Sequence, residues 1–528
     1  MRDFQLPGRS PLRVGDAAAA TSHPLATLTA VETLRAGGNA IDAAVAAAAV
    51  LAVVEPQSTG IGGDCFVIYA PKGGSRLVAF NGSGRAPKAA NLDWYVEHGF
   101  DSIPLFGPHA VTVPGAIDAW ARIVADHGSR ELGQLLQPAI RYAEDGYIVL
   151  DRVAYDWAAN AEKLAGDPHA ARILLPWGRA PRPGERHSQP QLAATLRQIA
   201  KHGREGFYAG PVAEDMVARL KDLGGLHQLE DFAEAEGEYV EPVRTTYRGV
   251  EVCQIPPNNQ GLTALLMLNI LAGFDVSDLD PAGALRLHLE IEAGRLAYRD
   301  RDALIADPAK VPVPVEELLS APYAERLRAE IDPERRIATL PPALLRRSDT
   351  IYLSVVDRER NAVSFINSIY YSFGSGVLAP ESGVVLQNRG ASFRVDASHP
   401  NRIAPGKRPM HTIMPGMALK NGRALMPFGV MGGDFQPFGH VHFLTNLLDF
   451  AMDPQAALDA PRVFPSGDMV EAERGLSRRA IAGLQDRGHQ LLVAEEPLGG
   501  GQAILIDWEA GTLTAGSDPR KDGCALGF

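Results

Sequence analysis

Residues 331–357 read Ile331-Asp-Pro-Glu-Arg-Arg-Ile-Ala-Thr-Leu-Pro-Pro-Ala-Leu-Leu-Arg-Arg-Ser-Asp349, then Thr350-Ile-Tyr-Leu-Ser-Val-Val-Asp357. The first part carries four Arg and three Pro with little apolar periodicity. That is the texture of an exposed linker, where cleavage of the backbone is tolerated. The second part is a β-rich run, followed by a polar turn at Arg358-Glu-Arg-Asn361 and a second strand, Ala362-Val-Ser-Phe-Ile-Asn-Ser368. A Thr that opens a strand is usually structural, because β-branched residues favour strands. Thr350 gains a chemical reading only if the linker is cut just before it. The freed α-amine then serves as base for the Thr hydroxyl, the N-terminal form of nucleophile activation.

Other parts of such a site can be sought outward from this point. A tetrahedral oxyanion needs convergent donors, best supplied by backbone N–H groups at glycines. Gly432-Gly433, after a strand ending at Val430, offers them, although the same pair also suits an ordinary strand-to-helix turn. Ser368 ends the strand next to that of Thr350, where its hydroxyl can orient the nucleophile or simply lie at the surface.

Upstream, Pro24–Leu34 and Ala40–Val54 read as helices broken at Gly37-Gly38, and Phe66–Ala70 and Arg76–Phe80 as strands joined at Pro71-Lys-Gly-Gly. Residues 115–221 are mostly helical in pattern. A strand over Gly249–Ile255 ends in Pro256-Pro257-Asn-Asn, and helices follow over Leu262–Leu271 and Ala284–Tyr298. Downstream, Gly383–Gln387 and Ala424–Val430 read as strands, and His440–Phe450 and Ser477–Arg487 as helices. A hairpin of Gly501–Trp508 and Thr512–Gly516 closes the chain. Strands beside helices throughout, with no internal repeat, predict a layered α/β body.

The chain has 528 residues, with 51 Lys+Arg against 63 Asp+Glu, a net charge of −12. An acidic chain with no basic run is a poor partner for nucleic acid. The longest apolar stretch, Ala43–Val54, has 12 residues, short of the roughly 20 that span a bilayer. The start, Met1 to Gly8, lacks the apolar core of a secretory signal. Cys65, Cys253 and Cys524 form neither a disulfide framework nor a zinc spacing, which fits a reducing compartment. The expectation is a soluble cytoplasmic protein without membrane or nucleic-acid partners. Competing motifs fail: there is no GxSxG elbow and no P-loop, and Gly60-Ile-Gly62-Gly-Asp-Cys65 lacks the third Gly of a dinucleotide fingerprint. His440-Val-His442 has no third ligand nearby and reads as packing or surface histidine. No cofactor or metal is signalled.

An ordered series of segments resembles the γ-glutamyltranspeptidase family of N-terminal-nucleophile hydrolases over nearly the full length. These are Gly37-Gly-Asn-Ala-Ile-Asp-Ala-Ala44, Gly60-Ile-Gly-Gly63, Val113-Pro-Gly115, Asp349-Thr350 with Ser354-Val-Val-Asp357, and Phe373-Gly-Ser-Gly376. Glu381-Ser-Gly383, Lys407-Arg-Pro409, Gly432-Gly433 and Gly516-Ser-Asp-Pro-Arg520 complete it. The resemblance implies a proenzyme that cuts itself between Asp349 and Thr350 into a large chain 1–349 and a small chain 350–528. The two would fold together as a four-layer αββα sandwich, which leaves open a dimer of these heterodimers. It implies Thr350 as nucleophile, Ser368 where the family has a Thr bonded to it, and Gly432 and Gly433 as the oxyanion pair. It requires no cofactor and no metal.

The same comparison exposes departures. The family holds the substrate α-ammonium with an Asn, a Gln and an Asp, where this chain has Tyr370, Arg389 and Ser392. Like charges about 4 Å apart cost roughly 4 kcal/mol at an effective dielectric of 20, so Arg389 should reject a γ-glutamyl group. On the carboxylate side, Ser83 takes the place of the family Arg, Arg85 stands two residues on, and the family's Ser pair becomes His411-Thr412. Arg suits bidentate capture of a carboxylate. The pocket therefore reads as built for an acidic or polar acyl end without an α-amine, unless Arg389 turns outward or pairs with Glu381. Two branches of the family fit such a pocket, oxamate amidohydrolases and glutaryl-type cephalosporin acylases. Tyr370 and Tyr371 favour the shorter acyl group. The segment 393–407 is short, which predicts a site open to water and hydrolysis over acyl transfer. The leading reading is a self-processing amidohydrolase of a small acidic amide. The alternatives are a γ-glutamyltransferase or glutathione hydrolase, and a catalytically silent homologue that binds a carboxylate ligand.

Overall fold

Along the strand Ile351–Val356, Ile351, Leu353 and Val355 alternate with Tyr352, Ser354 and Val356, and all six are buried. Successive side chains of a strand point to opposite faces, so this strand is covered on both. In the computed structural model, which describes residues 8–340 and 350–528, the two faces meet different layers. Ile351, Leu353 and Val355 join a core with the helices Pro24–Arg35 and Ala40–Val54. Tyr352 and Val356 join a second core with Cys253, Ile255, Met417 and Ile504, which belong to a facing sheet or its approaches. Burial on both faces is why this segment reads as an almost unbroken apolar run.

The first sheet has seven strands in the order Cys524–Gly527, Ala18–Thr21, Ile351–Val356, Ala362–Ser368, Asp64–Ala70, Val78–Gly82 and Glu238–Val240. The second has seven in the order Leu12–Val14, Thr512–Ser517, Gly500–Asp507, Arg423–Met431, Gly416–Lys420, Val250–Gln254 and Val243–Tyr247. Neighbouring strands in both are antiparallel. Helices Gly261–Leu271, Ala284–Leu304 and Gln436–Leu448 cover the outer face of the second sheet through Val252, Met426, Phe428 and Val430. The layers thus run helix, sheet, sheet, helix, the sandwich that the resemblance implies.

A polar seam crosses the apolar layer between the sheets. Tyr352 Oη shares hydrogen bonds with Ser354 Oγ at 2.9 Å and Ser364 Oγ at 2.8 Å. Those serines donate in turn to the Pro427 and Phe428 carbonyls of the facing sheet, at 3.2 and 3.3 Å.

The structure departs from the sequence expectations in several places. Residues 383–387 form no strand; Gly383 turns the chain at φ +69° and the segment folds back on Ala379 and Val377 through loop hydrogen bonds. Gly416–Lys420 and Cys524–Gly527 are strands the pattern did not signal, so the closing hairpin is not the last element. The described part of the linker is mostly exposed, as expected, but it is anchored at points. Ile331 is buried, and the Ile337 N–H donates to Glu292 Oε2 at 2.7 Å while Arg295 donates to the Ile337 carbonyl at 2.9 Å. These contacts dock its first half on the helix Ala284–Leu304, whereas the rest of it, with Asp349, lies outside the described residues. Of the two readings left open for His440 and His442, packing holds: both are buried, His440 Nδ1 on Gln254 at 3.1 Å and His442 Nδ1 on Glu290 at 3.0 Å. Among the described residues no helix is long and apolar enough to cross a membrane.

Gly60-Ile-Gly-Gly63 has a packing reason. A Cβ on Gly63 would lie 2.2 Å from the Ser368 carbonyl oxygen, which only the absence of a side chain allows. Gly63→Ala should lower stability by about 1–3 kcal/mol through overpacking and displace Ser368. Thermal unfolding measures it, with Gly15→Ala, whose Cβ would meet nothing within 4 Å, as the neutral control.

Candidate active site

The register of the first sheet pairs Ile351 with Asn367 and Ser368 with Asp64. Thr350, one residue before Ile351, therefore stands opposite Ser368, and Thr350, Ser368 and Asp64 form a row across three adjacent strands. Thr350 Oγ1 donates to Ser368 Oγ at 3.2 Å, and Ser368 Oγ also accepts from the Tyr370 N–H at 2.8 Å. Thr350 and Ser368 are both fully buried in the uncut chain.

One stretch beside the second sheet meets this row through the His411–Asp64 hydrogen bond, and a glycine turn is tied to that stretch through Gln260. Gly432 and Gly433 follow the strand Arg423–Met431 with φ of +117° and +59°, conformations that favour glycine. Gln260 Nε2 donates to the carbonyls of Gly433 at 3.0 Å and Thr412 at 2.6 Å. Arg301 holds Gln260 Oε1 at 2.9 Å and Asp434 Oδ1 at 2.6 Å, which fixes the turn from behind. His411 and Thr412 lie just before the strand Gly416–Lys420.

Arg389, on the short turn Arg389–Ser392, is 0% exposed. It neither turns outward nor reaches Glu381. Its Nη1 donates to Thr412 Oγ1 at 2.7 Å, and its guanidinium lies 3.9 Å from the centre of the Tyr370 ring. Its Nε and Nη2 are buried without a hydrogen-bond partner. Burial pulls its pKa down to about 10, with Tyr370, Asp64 and Asp434 acting in the opposite sense, so it is a cation at neutral pH. His411 is also fully buried, and burial together with the Arg389 charge lowers its pKa to about 3. It is a neutral imidazole whose Nε2–H donates to Asp64 Oδ2 at 2.9 Å, a hydrogen bond rather than an ion pair.

Two expected ligand-facing groups are engaged elsewhere. Arg85 is part-exposed in a separate cleft with Lys88, Asp231 and Glu234, where Nη1 donates to the Gly406 carbonyl at 3.2 Å and faces Asp307 at 3.9 Å. Ser392 Oγ donates to the Arg389 and Met410 carbonyls, so it shapes the turn that carries Arg389. Tyr370 adopts φ +79°, uncommon for a bulky residue, directly after the strand that ends in Ser368.

Asp64, Gln260, Arg301 and Asp434 were not singled out by the sequence reading. Asp64 is the instructive omission: a carboxylate placed between Gly-Gly and the apolar run Cys65-Phe-Val-Ile must find several donors if that run is buried. Gln260, Arg301 and Asp434 lie far apart in the chain and carry no local signal.

The arrangement is a buried hydroxyl at a strand start, a glycine turn tied through Gln260 to Thr412, and a buried guanidinium on Thr412 with two nitrogens unpartnered. Known proteins share the chain in which it sits. The sequence profile described as gamma-glutamyltranspeptidase matches residues 26–528. The glutathione hydrolase-like YwrD proenzyme of Bacillus subtilis is 40% identical over 96% of this chain and 97% of its own length. The oxamate amidohydrolase proenzyme of Klebsiella pneumoniae is 37% identical over 97% of this chain and 98% of its own. The crystal structure of cephalosporin acylase from Bacillus halodurans superposes with a TM-score of 0.93 at 40% identity, covering 100% of this chain and 99% of that one. Both sequence relatives are proenzymes by name, which implies a precursor processed into a large and a small chain. Match, identity and superposition all run nearly end to end, and the chain belongs to the gamma-glutamyltranspeptidase family of N-terminal-nucleophile hydrolases.

Proposed function

We propose that the chain is a self-processing amidohydrolase of a small acidic acyl group, with oxamate as the type of substrate. One observation carries the reading: Arg389 is a fully buried cation whose Nε and Nη2 have no partner. An uncompensated buried charge is costly. A carboxylate on the acyl group would satisfy both nitrogens in one bidentate contact. The α-ammonium of a γ-glutamyl group would instead meet a like charge. The Tyr370 ring covers one face of the guanidinium, which favours a short acyl chain. The Klebsiella relative named for oxamate is in keeping with this choice.

The chemistry starts with cleavage between Asp349 and Thr350, giving chains 1–349 and 350–528. The freed amine of Thr350 takes the proton of its own hydroxyl, and Oγ1 attacks the amide carbon. The N–H groups of Gly432 and Gly433 hold the oxyanion. The C–N bond breaks, the nitrogen leaves with the proton as ammonia, and water hydrolyses the acyl ester. Ser368 orients the nucleophile, and Thr412 and His411 set the position of Arg389.

A second reading, γ-glutamyl transfer or glutathione hydrolysis, is favoured by the name of the 40%-identical Bacillus relative. Two variants separate the readings. Thr350→Ala should run as one 528-residue chain on a denaturing gel and show no amide hydrolysis; processing at the same bond would refute the scheme. Arg389→Gln should lower kcat/KM for oxamate by about a hundredfold or more, as loss of a buried charged contact does. Release of glutamate from a γ-glutamyl anilide at an undiminished rate in Arg389→Gln would favour the second reading.

A further inference from the structure

A cleft of about 330 Å³ opens beside Gly432, and Arg389 is not among its lining residues. The boundary is an aromatic pair with ring centres 4.8 Å apart: Tyr370 lies over Arg389, and Tyr371 lines the cleft. Three cations border the space, Arg152, Lys163 and Lys521, against two acids, Asp156 and Glu496. Asp156 is committed, with Arg152 Nε at 2.8 Å and Lys521 Nζ at 3.9 Å.

Lys163 differs from the other two cations. Its Nζ donates to the Ser372 carbonyl and lies 4.7 Å from the centre of the Phe106 ring, and no described carboxylate pairs with it. Burial lowers its pKa to about 8, and no acid raises it. A half-buried ammonium on a cleft wall, satisfied only by a carbonyl and a ring face, is a receptor for an anion.

We propose that Lys163 binds an anionic group on the amine side of the scissile amide, so that preferred substrates join a small acidic acyl group to an amino acid or a comparable acidic amine. This rests on the acyl assignment made above. The two cations then divide the substrate, Arg389 taking the acyl carboxylate and Lys163 the carboxylate of the leaving amine. Gly432 lies on the wall of the Lys163 cleft, where the reacting carbonyl would sit between them. The atoms balance as in simple amide hydrolysis. Thr350 Oγ1 forms the ester, the C–N bond breaks, the amine departs with the hydroxyl proton, and water releases the acid.

The test uses the processed enzyme and isosteric pairs that differ in one charge. N-oxalylglycine is compared with N-oxalylglycinamide, and γ-glutamylglycine with γ-glutamylglycinamide. The acid of each reactive pair should exceed its amide in kcat/KM by about tenfold or more, mainly through KM. Lys163→Met should bring the ratio close to one, and Lys163→Arg should restore it. Equal rates within a pair in the unaltered enzyme, or a preference that survives in Lys163→Met, would overturn the assignment to Lys163. Turnover of the γ-glutamyl pair alone, with the glycine preference kept, would overturn the acyl reading and leave Lys163 standing. Absence of turnover in both series would overturn both.

Discussion

Asp64 is a single buried carboxylate that four separate segments share. Its Oδ1 accepts from the N–H groups of Gly84 at 2.9 Å and Gly115 at 3.0 Å and from Gln387 Nε2 at 2.8 Å, and its Oδ2 accepts from His411 Nε2 at 2.9 Å. A carboxylate without water must be satisfied by such donors, and here they come from both halves of the chain. Asp64 stands beside Ser368 in the sheet, so the same group that ties these segments together also borders the row of Thr350 and Ser368. Loss of one donor would leave a buried charge short of hydrogen bonds. The position of His411, and through Thr412 that of Arg389, depends on the whole set.

The glycines around this carboxylate are explained by proximity. A Cβ on Gly84 would lie 1.8 Å from the Val113 carbonyl oxygen, and one on Gly62 would lie 2.2 Å from that of Val385. The backbone must come this close for Asp64 to reach two N–H groups at once. A packing constraint thus stands behind these glycine-rich segments.

How much of this was legible follows from where the information lies. The helix Ala40–Val54 and the strand Ala362–Ser368 matched their expected bounds because each is a long, strongly patterned run. The short strand Gly416–Lys420 was not visible, since five residues with one glycine carry little pattern and its pairing is wholly non-local. The juxtaposition of Thr350 and Ser368 was legible, because the two strands beside which they stand are patterned runs joined by a short polar turn. Arg389 was legible as a residue type out of place. Arg85 lies in a separate cleft because it stands in the loop after the strand Val78–Gly82, where sequence proximity to a motif does not fix the side chain's direction. The network of Gln260, Arg301 and Asp434 could not be read at all, because its members meet only after both sheets have formed.

The acids near Arg389 bear on what it awaits. Asp64 already accepts from four donors, and Asp434 is held by Arg301. Both lower the potential around the guanidinium, yet neither forms a contact with Nε or Nη2. The fold therefore keeps the cation ionised while withholding a partner, at a cost in stability that tighter packing elsewhere must offset. Neutral His411 adds no opposing charge. A site so arranged is preorganised: the dipoles and charges that would receive an anion are fixed before it arrives, and little reorganisation remains to be done on binding. That is a stronger constraint on the ligand than shape alone, because a neutral group of equal size would leave both nitrogens unsatisfied and a cation would be repelled.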